Sequence, residues 1–327
     1  MDILLWSLAF AGALAAVIKS ADYFTRYAEK LGLLLKVSPF IIGVTVVSIG
    51  TSLPELATSI AAVFQGNSEI VIGNVVGSNT ANILLVLGIT AIVGKHIYID
   101  KEIINVDLPI VLGSVIVLFL TTLDGIFEVT DGIICILMLI TYIVYNVRSH
   151  RVVPPEEAKK ISKIKRETKE EESPIKKKTL TLKYIIFIIL SGTAIAAASH
   201  YTIMAVTNLS LLLNVKKEII AISAVAIGTS LPELVVSVMA AAKGKGEMAI
   251  GNIMGSNIFN VLGVMGITSM FGSLTIPPEM ISFTIPALLF ITILYIFSSM
   301  DKEVTQWEGI TFLLIYIAFM GKTFGLV

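Results

Sequence analysis

Two glutamates, Glu55 and Glu233, stand in the middle of apolar runs long enough to cross a bilayer. A carboxylate at that depth costs about 2.5 to 3.5 kcal/mol on insertion scales, so each must face the interior of a helical bundle and find a partner there. Both sit in one frame. Gly50-Thr51-Ser52-Leu53-Pro54-Glu55-Leu56-Ala57-Thr58-Ser59 recurs 178 residues later as Gly228-Thr229-Ser230-Leu231-Pro232-Glu233-Leu234-Val235-Val236-Ser237, identical at eight of ten positions. Pro54 and Pro232 lack an amide hydrogen, so a continuing helix would leave the carbonyls of Gly50 and Gly228 without their usual donors. Inside a membrane a freed carbonyl needs another partner, and a bound cation is one. The pattern predicts two discontinuous helices, each offering carbonyls and hydroxyls beside a carboxylate.

A second block repeats at the same offset. Gly73-Asn74-Val75-Val76-Gly77-Ser78-Asn79-Thr80-Ala81-Asn82 maps onto Gly251-Asn252-Ile253-Met254-Gly255-Ser256-Asn257-Ile258-Phe259-Asn260. The glycines, four apart, read as close helix packing. Ser78 with Asn82, and Ser256 with Asn260, lie one turn apart and read as polar faces turned to a cation. The donors on offer are then the carboxylates of Glu55 and Glu233, the hydroxyls of Thr51, Thr229, Ser52, Ser230, Ser78 and Ser256, the amides of Asn82 and Asn260, and main chain. All are oxygens. That set suits a hard cation such as Ca²⁺, which takes roughly 6 to 8 oxygens, and does not suit zinc or copper.

Charge gives the mechanism. Two ionised glutamates are neutralised by one Ca²⁺, and Na⁺ ions occupying the same oxygens would compete with it. A site stable only when filled, at the midplane and opened to each side in turn, performs antiport by alternating access. If more than two Na⁺ bind, the loaded site is positive, and moving it costs or yields about 2.3 kcal/mol per charge per 100 mV.

The elements that must hold these residues are helices in a membrane. The 327 residues are 55% hydrophobic and 15% charged, with a mean hydropathy of +0.89; a soluble chain carries about 25% charge. A water-soluble enzyme is excluded. Ten spans are predicted, near 3–25, 38–64, 70–93, 104–122, 127–147, 184–206, 218–242, 248–271, 279–299 and 305–321. The fold class expected is an all-α polytopic membrane protein, two inverted five-helix repeats with broken helices at the centre. An odd number of spans per copy forces the second copy to enter upside down. The domains are 1–148, the first repeat; 149–182, a charged cytoplasmic linker; and 183–327, the second repeat. A near-match at 177, Asp131-Gly132-Ile133 with Glu308-Gly309-Ile310, extends the duplication across all five helices.

Orientation follows from the basic residues, which are retained on the cytoplasmic side. With the N-terminus outside, inner loops hold twenty Lys and Arg and outer segments three. Twelve of the twenty lie between Arg148 and Lys183, a stretch read as a solvated linker that fixes topology. Localisation is therefore a cell membrane, multi-pass, with both termini outside and the central loop cytoplasmic. The N-terminal apolar stretch lacks a basic n-region and reads as the first span, not a cleaved leader. Lys+Arg and Asp+Glu balance at 24 each, which points to no nucleic-acid partner. The single Cys135 excludes an intramolecular disulfide framework.

The two blocks resemble the alpha-repeats of the sodium/calcium exchanger family, within the cation/calcium exchanger superfamily, in its prokaryotic form without regulatory domains. The resemblance covers the chain apart from the 149–182 loop. It implies four cation positions in a diamond-like cluster between inverted halves. By motif position, Glu55 and Glu233 are similar to the central Ca²⁺ carboxylates, with Thr51 and Thr229 giving carbonyls to Ca²⁺ and Na⁺. Ser48 and Ala226 match backbone Na⁺ ligands, and Ser52, Ser230, Ser78 and Ser256 match side-chain ligands of the outer and inner Na⁺ positions. Asn82 and Asn260 depart from the potassium-dependent branch, which carries Asp at the position of Asn260, so K⁺ co-transport is not expected. His200 aligns with Asp22; the histidine reads as a satisfied interfacial residue and Asp22 as a structural partner of Lys19 and Arg26.

The expected partners are Ca²⁺, Na⁺ and the lipid bilayer, with no resident cofactor and no obligatory protein partner. The nearest rival is a proton/calcium antiporter of the same superfamily; relatives of that type resemble Gly-Asn-x-x-Glu with histidines nearby, and none of the three histidines here lies in the motifs. A passive cation channel and an intramembrane hydrolase are more distant alternatives, the latter expected to use paired Asp.

Overall fold

A computed structural model describes residues 2–35, 37–100, 103–149, 174–212 and 230–323. Eight of its helices are long and apolar enough to cross a membrane. In chain order the elements are α1 (Asp2–Leu35), α2 (39–51), α3 (Leu53–Phe64), α4 (Glu69–Gly94), α5 (Ile103–Thr121), α6 (Val129–Ser149), α7 (Pro174–Leu212), α8 (Leu231–Ala242), α9 (Gly246–Ser269), α10 (Met280–Ser299) and α11 (Gln306–Thr323). Helices α2 and α3 share one predicted span, so the elements fit the ten-helix plan. The chain is a nearly all-helical, multi-pass membrane protein. Of the span expected at 218–242, the part before Ser230 lies outside the described residues, as do residues 150–173 of the linker.

Burial sorts the helices into a centre and a periphery. The apolar windows of α4 and α9 are 78% and 94% buried, whereas those of α1 and α7 are 6% and 17% buried. Helices α1 and α7 pack on each other and turn residues such as Leu4, Leu5, Leu8, Ile189 and Leu190 outward, as lipid-facing surfaces do. Both outrun their expected bounds. Helix α1 has 34 residues and α7 has 39, about 51 and 58 Å at 1.5 Å per residue, against a hydrocarbon core of about 30 Å. Hydropathy marks where a helix leaves the apolar layer, not where it stops. Neither sequence carries an internal proline, so nothing ends the helix at the membrane surface.

Two short ribbons show how the repeats interlock. Strands β1 (His96–Tyr98) and β4 (Glu303–Thr305) pair antiparallel, with Ile97 opposite Val304; β2 (Ile126–Phe127) and β3 (Leu274–Thr275) pair with Phe127 opposite Leu274. Each ribbon joins the two repeats. An offset of 177 maps one onto the other, down to a single bond: Ile99 N–H to Lys302 O at 2.8 Å becomes Ile276 N–H to Gly125 O at 2.9 Å. The inward residues Ile97, Val304, Phe127 and Leu274 are all buried. The repeat has thus slipped by one residue between Asn82, where the offset is 178, and Ile97.

The same relation governs helix crossings. A Cβ on Gly88 would stand 2.9 Å from Gly309 O, and one on Gly132 would stand 2.9 Å from Gly266 O. Gly88 corresponds to Gly266 and Gly309 to Gly132, so α4 crosses α11 as α9 crosses α6. Only residues without a side chain allow backbones so close. Two π-helical turns, Ile103–Asp107 and Met280–Thr284, also correspond. Each directly precedes a proline turn, at Pro109 and Pro286, where the missing amide hydrogen already interrupts the α ladder.

Candidate cation-binding site

The site begins at two helix starts. Ser52 has φ −89° and ψ 6°, and Ser230 has φ −87° and ψ 4°, so α3 resumes after a break at Ser52 and α8 begins after an equivalent turn at Ser230. Each turn lies just before a proline, which occupies the first turn of the helix it opens, where its missing amide hydrogen costs nothing. Glu55 and Glu233 also fall in those first turns, where the helix dipole favours negative charge.

The motif of the first repeat reaches the carboxylate of the second. Ser52 Oγ donates to Glu233 Oε1 at 2.9 Å, and the carboxylates lie within electrostatic reach of each other. The hydroxyls of Thr51 and Ser256 also interact with Glu233 and lie 3.5 Å apart. Thr51 Oγ1 donates to Asn252 Oδ1 at 3.2 Å. Glu55 and Glu233 are 1% and 0% exposed, so no water layer offsets their charge.

Around them the polar groups divide into two kinds. Some are saturated: Asn252 Nδ2 donates to Glu233 O at 3.4 Å and to Ser237 Oγ at 2.9 Å, and Asn74 Nδ2 repeats this with Glu55 O at 3.2 Å and Ser59 Oγ at 3.0 Å. Others have no hydrogen bond among the described residues. Both carboxylate oxygens of Glu55, Oε2 of Glu233, Oγ of Ser230 and Oδ1 of Asn82 and Asn260 are buried without a partner. Leaving buried acceptors unpaired is costly, and more so when they are charged. Six such oxygens within the two repeated motifs match what a hard cation takes up. Among the described residues no three His, Cys, Asp or Glu cluster, so only two side chains in this arrangement carry charge.

Helix packing places the amides at the same junction. The π-helical turn Asn82–Val86 packs against α8, which carries Glu233, and the turn Phe259–Met265 packs against α3, which carries Glu55. Small residues permit this approach. A Cβ on Gly251 would stand 2.5 Å from Phe40 O, and one on Gly255 would stand 2.6 Å from Val44 O.

The profile of the family described as sodium/calcium exchanger protein matches residues 5–149 and 183–324. The chain belongs to the sodium/calcium exchanger family. It is 33% identical to the sodium/calcium exchanger MaX1 of Methanosarcina acetivorans, over 94% of this chain and 95% of that protein. It is 29% identical to the inner membrane protein YrbG of Escherichia coli, over 92% and 90%. The solved structure of the sodium-calcium exchanger NCX_Mj, soaked with 2.5 mM Na⁺ and 1 mM Sr²⁺, superposes with a TM-score of 0.81 at 29% identity, covering 97% of this chain and 98% of that one.

Within this exchanger fold, Glu55, Glu233, Thr51, Ser52 and Ser256 are joined by the contacts above. Ser48, whose hydroxyl donates to Val44 O at 2.8 Å, sits one turn before the break. Ser78, Ser230, Asn82 and Asn260 are buried on the adjoining turns. Thr229 and Ala226 lie outside the described residues. Sequence reasoning passed over Asn74, Asn252, Asn79 and Asn257; their recurrence at the offset of 178 was the available signal. Asp22 pairs with Arg26 at 3.3 Å, as its helical spacing predicts, and with Lys243 in place of Lys19. His200 packs edge-on to Tyr201, with centroids 5.9 Å apart.

Proposed function

We propose that this chain exchanges Na⁺ for Ca²⁺ across a cell membrane as a secondary active transporter. Ca²⁺ and Na⁺ compete for the oxygens of Glu55, Glu233, Thr51, Thr229, Ser52, Ser230, Ser78, Ser256, Asn82 and Asn260, with the main chain of Ser48 and Ala226. The observation that carries this reading is the pair of fully buried carboxylates with three of their four oxygens unpartnered among the described residues. Only a captured cation or proton can balance that charge in a dry core. The names of MaX1 and NCX_Mj as sodium/calcium exchangers support Na⁺ and Ca²⁺ as the exchanged ions. Asn at position 260 supports K⁺-independent exchange, because the site then holds two charged groups and no third.

Residues 1–148 and 183–327 form the two inverted repeats, 149–182 links them on the cytoplasmic side, and both termini face out. The transported ions are the only ions required, and there is no resident cofactor. Purified protein in sealed vesicles tests the reading: uptake of ⁴⁵Ca²⁺ should follow an imposed Na⁺ gradient. Uptake that follows a pH gradient and ignores Na⁺ overturns it in favour of proton/calcium antiport.

A further inference from the structure

Asn79 and Asn260 are joined by a hydrogen bond whose direction chemistry fixes. Asn79 Nδ2 lies 3.0 Å from the main-chain carbonyl of Asn257. A carbonyl only accepts, so the NH₂ end of Asn79 must face it. The other end of that amide, Oδ1, then faces Asn260 and can only accept. Asn260 must therefore present its own NH₂ to Asn79, as it does at 3.1 Å. Asn260 Oδ1 is left facing away from this relay, buried and with no hydrogen-bond partner among the described residues. The turn that carries it packs against α3, the helix of Glu55.

We propose that Asn79 is a positioning residue, which fixes the amide of Asn260 with its oxygen, not its NH₂, toward the transported cation. Without that anchor the amide could flip and offer a positive end to the ion. The equivalent relay in the other half would run from the Asn79 carbonyl through Asn257 to Asn82. It is open here: both ends of the Asn257 and Asn82 amides lack hydrogen bonds among the described residues. One of the two neutral amides is set and its counterpart can turn. Asn79 thereby acts on ion selection without touching an ion.

This inference rests on the exchange reading above, and a double-mutant cycle separates the two. Na⁺-driven ⁴⁵Ca²⁺ uptake is measured for the wild type, Asn79→Leu, Asn260→Asp and the double variant. Asn79→Leu should raise the ion concentration for half-maximal exchange about tenfold, the scale of one lost hydrogen bond, with the maximal rate nearly unchanged. In the Asn260→Asp background the same change should cost less than about threefold, because a carboxylate presents oxygen at both ends and needs no anchor. Equal losses in both backgrounds, or an unchanged half-maximal concentration, overturn the role of Asn79. If the wild type shows no Na⁺-driven uptake, the exchange reading itself fails. If Asn79→Leu does not fold, Asn79→Ser, which also removes the amide, carries the same comparison.

Discussion

Ser52 donates its hydroxyl hydrogen to Glu233 across the repeat boundary at 2.9 Å, while among the described residues the hydroxyl of Ser230, its counterpart, makes no hydrogen bond and neither carboxylate oxygen of Glu55 receives one. Two copies of one motif thus hold their carboxylates unequally. The amides are unequal in the same way, with Asn260 anchored and Asn82 not. A transporter built from inverted copies needs such inequality, since an exactly symmetrical arrangement would open equally to both sides. On the alternating-access reading proposed above, exchanging the two sets of bonds would convert one conformation into its inverse.

The two carboxylates are predicted to be individually indispensable. Replacing either Glu55 or Glu233 by Gln keeps the shape and removes half of the site's negative charge. Ca²⁺ transport should fall by at least about 100-fold in each variant, the scale of losing one partner of a buried charge. Near-normal ⁴⁵Ca²⁺ exchange in either one contradicts a shared cage.

The inequality of Ser52 and Ser230 should appear in stability without ions. Ser52→Ala removes a bond to a charged acceptor, worth about 1.5 to 3 kcal/mol, whereas Ser230→Ala removes a hydroxyl without a hydrogen bond among the described residues. The apparent Tm of the cation-free protein should drop for Ser52→Ala and hold for Ser230→Ala. Equal drops would show that the asymmetry is not a property of the resting state.

Much of this site was legible in the sequence because duplication doubles every signal. A lone Pro54 or Glu55 has ordinary explanations in a membrane helix; the pair Pro54-Glu55 with Pro232-Glu233 has few. What escaped was geometry carried by contacts between helices. The amides of Asn74 and Asn252 lie in the quoted motifs, yet their bonds to Glu55 O and Glu233 O connect separate helices and no spacing rule exposes them. The break falls at Ser52, ahead of Pro54, because proline fits the first turn of the helix it begins. The ends of α1 and α7 escaped for another reason: charged residues such as Arg26 and Lys30 signal water, and a helix can continue into water.

Close packing of α9 on α2 gives a third prediction. Gly251→Ala would place its Cβ 2.5 Å from Phe40 O and 3.0 Å from Val44 N. Both are backbone atoms and cannot rotate away, so the helices must part. The variant should lose several degrees of apparent Tm or fail to fold. Gly12→Ala, on α1 with nothing within 4 Å, should match the wild type. A stable Gly251→Ala protein would refute the close crossing.

Ion pairs tie one peripheral helix to the centre. Asp22 receives Lys243, and Glu29 receives Lys245 at 2.5 Å, joining α1 to the turn after α8. The corresponding residues are His200 and Thr207 on α7, with Gln65 and Asn67 in the turn after α3, so no charges repeat the tie. These pairs are partly exposed and each contributes less than about 1 kcal/mol. The variant Asp22→Asn with Glu29→Gln should therefore keep its Tm but exchange amide hydrogens faster in the 243–245 turn. The difference should fade at high salt. Unchanged exchange at low salt would show that the pairs hold nothing.

The ribbons make the inverted arrangement testable from outside the membrane. His96 and Thr305 face each other in one ribbon, and Ile126 and Thr275 in the other. If the repeats are inverted, equivalent loops end on opposite faces. With the buried Cys135 replaced by Ser, an impermeant thiol reagent added outside cells should label Ile126→Cys and Thr275→Cys. It should leave His96→Cys and Thr305→Cys unlabelled until the membrane is opened. The opposite pattern would reverse the orientation read from the basic residues while keeping the inversion. Labelling of all four from one side is incompatible with five spans per repeat, because the ribbons would then share a face.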